Sequence, residues 1–111
     1  MDLELEPDVA EWLDGLRPAP FATVAFNLDR LVELGPRLRM PHSRALGAGL
    51  FELRFDLDRR AQRIAYFFPG EQSVVLLTVF SKRRPNERSE IERARATMKR
   101  CIEEQHTAEE E

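Results

Sequence analysis

Residues 50–84, LFELRFDLDRRAQRIAYFFPGEQSVVLLTVFSKRR, decide the fold, because three strand-length apolar stretches are separated here by two turn sequences. Residues 50–55 and 61–68 have a period of two, which is typical of strands with one face on a core. Residues 74–80 are apolar on both faces, which indicates a central strand. The DLDRR sequence at 56–60 and the Pro69-Gly70 pair supply the turns. The stretch therefore predicts a three-stranded antiparallel meander.

The residues before the meander predict a short strand and two helices. The sequence DLELE at 2–6 alternates apolar and acidic residues, as a short edge strand does. Pro7 suits the first position of a helix, and the apolar positions of that helix are Val9, Trp12, Leu13 and Leu16. A second helix follows the break at residues 17–20 and ends at Gly35-Pro36. Its apolar stripe is Phe21, Val24, Ala25, Leu28, Leu31 and Val32. We expect a two-helix hairpin with Trp12 and Phe21 in the core.

The remaining residues predict one loop and one long helix. Residues 36–49 contain prolines and glycines without a clear period, so we expect an ordered loop. Residues 87–105 predict a C-terminal helix whose apolar stripe is Ile91, Ala94, Met98 and Cys101 or Ile102. The fold class is α+β in a single domain, residues 1–105, followed by a frayed acidic tail, 106–111. We expect the helices to cover one sheet face and to leave the other face, with the charged side chains, open.

The charged residues are unevenly distributed along the 111-residue chain. All 17 Lys and Arg residues lie between Arg17 and Arg100, together with 9 acidic residues, so that this segment has a balance of +8. Acidic residues predominate on both sides of it. A basic middle between acidic ends indicates a surface for a polyanion, while the alternative is that the arginines form ordinary solvated faces.

Targeting signals and common catalytic motifs are missing from the sequence. No apolar run approaches the roughly 20 residues that a membrane helix needs, and the N-terminal residues lack a secretory pattern. We therefore expect a cytoplasmic protein without membrane contact. No phosphate-binding glycine loop or nucleophile elbow is present. His42 and His106 lie far apart and Cys101 is the only cysteine, so we expect no disulfide, no metal and no cofactor.

A group of cations remains as the candidate site. Arginine binds phosphate through a planar fork of permanent charge, and cations stabilise the charge that develops when the adjacent 2′-hydroxyl cleaves RNA. For catalysis we expect Arg54, Arg63, Lys82 and Arg83. For substrate binding we expect Arg37, Arg39, Arg44 and Arg84. The proton acceptor would be Tyr66 or Glu52.

These cations also allow interpretations that involve no substrate. Arg54 and Arg63 would then only pair with Glu52 or Asp56 across strands. Residues 82–84 would protect a sheet edge. Tyr66 would be a core residue, because Ile64 and Phe68 share its face.

The order and spacing of several short motifs resemble one known family. These motifs are Leu34-Gly35-Pro36, Met40-Pro41, GLFELR at 49–54, RIAYFF at 63–68, LLTVFSK at 76–82 and EIERA at 90–94. Together, from about Val9 to Arg100, they resemble the HigB-like branch of the RelE/ParE toxin superfamily, including its phage-derived members. Many relatives carry a histidine where this chain has Thr78. Some RelE-type nucleases also have a tyrosine near the C-terminus, whereas Tyr66 is the sole tyrosine here.

The resemblance implies the toxin of a bacterial type II toxin–antitoxin pair. Such toxins are small RelE-like α+β proteins that cleave mRNA on the translating ribosome without a metal. A helix-turn-helix antitoxin holds them silent, so the implied partners are the antitoxin, the ribosome and mRNA. The same fold also occurs in ParE-type proteins, which inhibit gyrase. A gyrase inhibitor and a non-catalytic prophage-derived remnant are therefore the alternatives.

Overall fold

Five strands form one mixed sheet in the order β1-β5-β4-β3-β2. The structure is a computed structural model that describes residues 1–82 and 87–110, with the side chains of 1–82 and 87–104. The strands are β1 (Asp2–Leu5), β2 (Ser43–Gly47), β3 (Leu50–Leu57), β4 (Arg60–Gly70) and β5 (Ser73–Ser81). The helices are α1 (Pro7–Asp14), α2 (Pro18–Leu34) and α3 (Arg88–Glu110). Strand β1 runs parallel to β5, and the other neighbours are antiparallel.

The meander of β3, β4 and β5 confirms the central prediction, although one of its turns lies elsewhere. Asp58 and Arg59 form a two-residue turn in which both φ angles are positive, as a hairpin turn of this length requires. Strand β4 continues through Pro69-Gly70, which was predicted as a turn. Gly70 pairs with Ser73, and the ladder shifts register between Phe67 and Gly70. Pro69 is tolerated there because a bulge does not need its missing N–H.

Two strands flank the meander, so a description by three strands is incomplete. The predicted edge strand at the N-terminus is present as β1. The predicted loop at 36–49 is wrong, because it contains a 3-10 turn, Gly35–Arg37, and the strand β2. Strand β2 pairs with β3 alone at the edge of the sheet. Its alternation covers too few residues for a sequence pattern to reveal it.

Helices cover both faces of the sheet, which contradicts the expectation of one open face. On the first face, residues from α1 and α2 pack with Leu53, Ile64 and Leu76. On the second face, α3 packs through Ala94 and Met98 against residues of β3, β4 and β5. The reason lies in β5, which is apolar on both faces and needs a cover on each. The apolar stripe of α3 covers the second face of the sheet, and it lies at the positions that the sequence predicts.

The buried stripe of α2 is narrower than the sequence predicts. Val24, Leu28 and Leu31 are buried, at the spacing of one helix face. Phe21 is 48% exposed, so its predicted place in the core is wrong. Trp12 of α1 packs against the core, as expected. No helix among the described residues is long and apolar enough to span a membrane.

Tyr66 belongs to the core beneath α1 and α2. Its side chain is buried, its ring stacks on Phe51, and Phe68 meets it edge-on. Its hydroxyl shares a hydrogen bond with the buried hydroxyl of Ser43. Burial raises the pKa of Tyr66 despite this hydrogen bond. Tyr66 therefore lies on the sheet face opposite Arg54 and Arg63, apart from the other predicted site residues.

The Ser43–Tyr66 pair gives a test of this core. Tyr66→Phe leaves the Ser43 hydroxyl buried without its partner, so we expect a loss of about 1–3 kcal/mol in the free energy of unfolding. Adding Ser43→Ala should recover part of that loss, because both polar groups are then absent. Urea unfolding of both variants measures the effect, and a double variant less stable than Tyr66→Phe would contradict it.

Candidate functional site

Strand register places the charged residues of three strands in two adjacent rows. Arg44 of β2 pairs with Glu52 of β3, and Glu52 pairs with Ala65 of β4. Ala65 in turn pairs with Thr78 of β5. In the next row Arg54 pairs with Arg63. Because paired residues share a face and side chains alternate along a strand, both rows lie on the face that α3 covers in part.

Glu52 lies at the centre of three arginines, a group that we call the Glu52 cluster. Its Oε1 is 3.9 Å from Nη1 of Arg44, 3.9 Å from Nε of Arg54 and 3.9 Å from Nε of Arg63. The Glu52 side chain is 1% exposed, while those of Arg63, Arg54 and Arg44 are 7%, 24% and 56% exposed. The cluster therefore runs from a buried arginine to one that is open to solvent.

The Glu52 cluster carries more positive charge than its carboxylate neutralises. Three guanidinium groups and one carboxylate sum to +2. The cross-strand ion pairs of Arg54 and Arg63, which the sequence allowed as an alternative to a substrate site, do form with Glu52. All three arginines of the cluster, however, share this one carboxylate. An anionic ligand such as a phosphodiester would offset part of this remainder, and Arg44 and Arg54 provide the solvent-facing side of the cluster.

Several buried polar atoms in the cluster make no hydrogen bond to the described residues. They are both carboxylate oxygens of Glu52, Nε of Arg54, Nε of Arg63 and Oγ1 of Thr78. Buried polar atoms are satisfied in most proteins, and exceptions concentrate where a function needs them. The other contacts of the two arginines are weak or local. Nη1 of Arg63 donates to the carbonyl of Gln62, and Nη1 of Arg54 contacts Sδ of Met40.

The environment of Glu52 favours its protonated form. Burial raises the pKa of Glu52 above its ordinary value of 4.5, and the nearby charge of Glu87 raises it further. The charges of Arg63, Arg44 and Arg54 act in the opposite direction but are outweighed. A carboxylate whose pKa is raised is a stronger base than that of an ordinary glutamate.

Lys82 and Glu87 lie at the border of the cluster. Nζ of Lys82 is 3.8 Å from Oε1 of Glu87, just before α3 begins. Lys82 follows β5 directly, and its backbone N–H donates to the carbonyl of Ala61 on the neighbouring strand. Lys82 is therefore held beside β4 and β5, with its charge partly neutralised.

The structure brings together only some of the predicted site residues. Arg44, Arg54 and Arg63 meet around Glu52, and Lys82 contacts Glu87, whose charge acts on Glu52. Arg37 and Arg39 are exposed in the segment before β2 and are not in the cluster. Arg83 and Arg84 lie outside the described residues. Thr78 and Glu87 were not predicted as site residues. Two features of the sequence single out Thr78: it is the only polar residue in the apolar run 74–80, and many relatives of the resembled family carry a histidine there.

Two pockets lie on opposite faces of the sheet. The first, which we call the β2 pocket, has a volume of about 320 Å³ and is lined by Pro36, Leu38, Arg39, Met40, Ser43, Ala45 and Phe51. The second, of about 330 Å³, lies between β1 and α3 and is lined by Glu4, Leu5, Glu6, Phe67, Val75, Cys101 and Glu104. Its three carboxylates make the second pocket unfavourable for phosphate.

Cys101 in the second pocket is not a nucleophile. Burial, together with a hydrogen bond to Glu6 and the charge of Glu6, raises the pKa of Cys101 to about 12. The thiol therefore stays protonated near neutral pH. No group of His, Cys, Asp and Glu side chains within the described part of the chain has an arrangement that could hold a metal ion.

Comparison with known protein families identifies the family to which the chain belongs. The model of the family described as Phage derived protein Gp49-like (DUF891) matches residues 11–99. The matched segment contains every described residue of the Glu52 cluster, together with Thr78, Lys82 and Glu87. No curated protein matches the chain.

The raised pKa of Glu52 gives a testable pH dependence of stability. Because the folded-state pKa is raised, Glu52 contributes its full stability below about pH 4.5 and loses it as the pH rises through the folded-state pKa. Glu52→Gln abolishes this titration. We expect the melting temperature of Glu52→Gln to increase relative to wild type as the pH rises above about 4.5.

Thermal unfolding followed by circular dichroism at a series of pH values measures this difference. Glu33→Gln, an exposed site on α2, is the matched control and should track the wild type. A Glu52→Gln difference that stays constant with pH would show that Glu52 titrates alike in the folded and unfolded chains.

Proposed function

The chain belongs to the phage-derived Gp49-like family, and we propose that it is the toxin of a type II toxin–antitoxin system that cleaves mRNA on the ribosome. The Gp49-like family is a RelE-like toxin family, and membership is compatible with this role. One observation carries the enzymatic part of the proposal. A buried carboxyl with a raised pKa lies among three arginines whose charge it does not balance.

The cluster has the parts that RNA cleavage by an internal nucleophile requires. The 2′-hydroxyl of the substrate attacks the adjacent phosphorus, and the bond to the 5′-oxygen breaks. The products are a 2′,3′-cyclic phosphate and a free 5′-hydroxyl. The chain needs to supply a proton acceptor, cations near phosphorus and a fixed geometry. Water supplies the proton that the leaving 5′-oxygen takes up.

Glu52 is the proton acceptor in this proposal. Burial and the Glu87 charge make the carboxylate a stronger base than an exposed glutamate. Its two oxygens are buried and make no hydrogen bond to the described residues, so accepting the proton of the 2′-hydroxyl requires the more exposed side chains of Arg44 and Arg54 to move aside. Tyr66, the other sequence candidate, lies on the opposite face beneath α1 and α2.

Proton transfer to Glu52 also changes the charge of the cluster in the direction that catalysis needs. With Glu52 ionised the cluster sums to +2, and with Glu52 protonated it sums to +3. The extra positive charge appears as negative charge builds up on the phosphorus oxygens. The arginines therefore bind the transition state more strongly than the bound substrate, which is the condition for rate acceleration.

The proposed partners follow from the toxin role. The ribosome would present single-stranded mRNA to the cluster, and Arg44 is its most exposed arginine. A helix-turn-helix antitoxin would bind the chain and hold it silent. Reconstitution with the product of a neighbouring reading frame tests this partner directly.

Arg63 gives the sharpest mutational test of the nuclease. Arg63→Ala removes the most buried cation beside the reacting phosphate, so we expect mRNA cleavage to fall by about 100-fold or more. Primer extension on a reporter mRNA during induced expression measures the new 5′ ends. Arg60→Ala, an exposed arginine of the same strand, is the matched control and should cleave like wild type.

Two outcomes would contradict the nuclease. The first is growth arrest by the wild type without any new 5′ ends, and a supercoiling assay then tests gyrase inhibition. The second is full cleavage by Arg63→Ala with an unchanged melting temperature. Arg44→Ala is a second variant at an exposed site, so a folding failure of Arg63→Ala does not remove the test.

Glu52→Gln separates proton transfer from phosphate binding. The amide keeps the shape of the side chain but cannot accept the proton, so we expect cleavage to fall by about 100-fold to 10,000-fold. Ribosome association should persist, because the three arginines remain. Cosedimentation with ribosomes and primer extension on the same cultures give the two readouts. Wild-type cleavage by Glu52→Gln would exclude Glu52 as the proton acceptor.

A further inference from the structure

The β2 pocket is the one described pocket that combines an apolar lining with a cation. Its walls include the thioether of Met40 and the ring of Phe51, and Arg39 supplies the charge. Ser43 lines it as well, and its side chain is buried with the hydroxyl on Tyr66. Phe51 is half-buried, so part of its ring is available to a ligand.

We propose that the β2 pocket binds one nucleobase of the mRNA next to the scissile phosphate and sets the base preference of cleavage. This inference rests on the nuclease function proposed above. Single-stranded RNA is recognised mainly by stacking of unpaired bases on aromatic side chains and by hydrogen bonds to base edges. Phe51 offers the stacking surface, and Met40 offers a polarisable sulfur contact.

The pocket is directly connected to the Glu52 cluster. Nη1 of Arg54, in the cluster, lies 3.3 Å from Sδ of Met40, in the pocket wall. Along β2, Arg44 belongs to the cluster while its neighbours Ser43 and Ala45 line the pocket. Because β2 is an edge strand, RNA that passes around this edge meets the cluster on one face and the pocket on the other.

The charge of Arg39 favours RNA as the occupant. Arg39 is exposed at the pocket and can pair with a phosphate that flanks the bound base. The acidic pocket between β1 and α3 offers the opposite charge and repels such a phosphate. A nucleotide is thus the ligand class that matches both the apolar wall and the cation of the pocket.

Sequencing of RNA 5′ ends from cells that express each variant tests the inference. For the wild type we expect one base to be preferred at a fixed offset from the cut. Met40→Ala and Phe51→Leu should lower cleavage at that base about tenfold relative to the other bases, while cleavage itself continues. Phe26→Ala, an exposed apolar site on α2, is the matched control and should keep the wild-type preference.

The outcomes separate this inference from the nuclease proposal. If wild type, Met40→Ala and Phe51→Leu cut with the same base preference, the base-binding pocket is excluded and the nuclease proposal is unaffected. Absence of cuts by the wild type overturns both. Phe51 also stacks on Tyr66, so Phe51→Leu is interpreted only if it melts as the wild type does. Met40 is exposed, so Met40→Ala leaves the core undisturbed, and because it also removes the contact to Arg54, its effect is measured as the ratio of cleavage between bases and not as total cleavage.

Discussion

The burial of one carboxyl group, that of Glu52, is the interaction on which the site depends. A lone buried carboxylate is costly, and it is retained only if cations or a proton compensate its charge. Here both occur, since three arginines surround it and burial still raises its pKa. The arrangement leaves Nε atoms and carboxylate oxygens without hydrogen bonds to the described residues. Such a site is poorly optimised for stability, and it suits a substrate that brings its own acceptors and takes up the excess charge.

The sheet makes this burial possible because β5 is apolar on both faces. A strand of that kind needs a helix on each side, and α3 covers the second face only where its own apolar stripe reaches. The polar rows of β3 and β4 lie at the border of that cover, near Glu87 and the start of α3. Position 78 belongs to the same row, and Thr78 keeps a buried hydroxyl there. Thr78 therefore shares the polar row of Glu52 and Arg44.

The sequence was sufficient for the parts of the fold that rest on local periodicity. The alternation of β3 and β4, the apolar run of β5 and the helical stripe of α3 are all visible in the order of residues. The strand β2 was not visible, because a five-residue edge strand offers too little alternation.

The residue types of the site could be predicted from the sequence, but which of these residues contact one another could not. Alternation places Glu52 and Arg54 on one face, whereas the approach of Arg44 and Glu87 depends on register and helix packing. Arg37 and Arg39 were grouped with the cluster only because they are cationic.

Strand β2 also shows how one small chain carries the Glu52 cluster and the β2 pocket, the two surfaces in our RNA-binding proposal, side by side. Successive side chains of a strand point to opposite faces, so Arg44 joins the Glu52 cluster while Ser43 and Ala45 line the β2 pocket. In the interior of a sheet these two faces would be separated by further strands. At an edge they are separated only by the backbone of one strand, about 5 Å in the direction of strand pairing. A flexible single strand can follow such an edge, which a duplex cannot. The edge position of β2 is therefore the feature of the fold that the proposed single-stranded substrate needs, independently of the charge of the cluster.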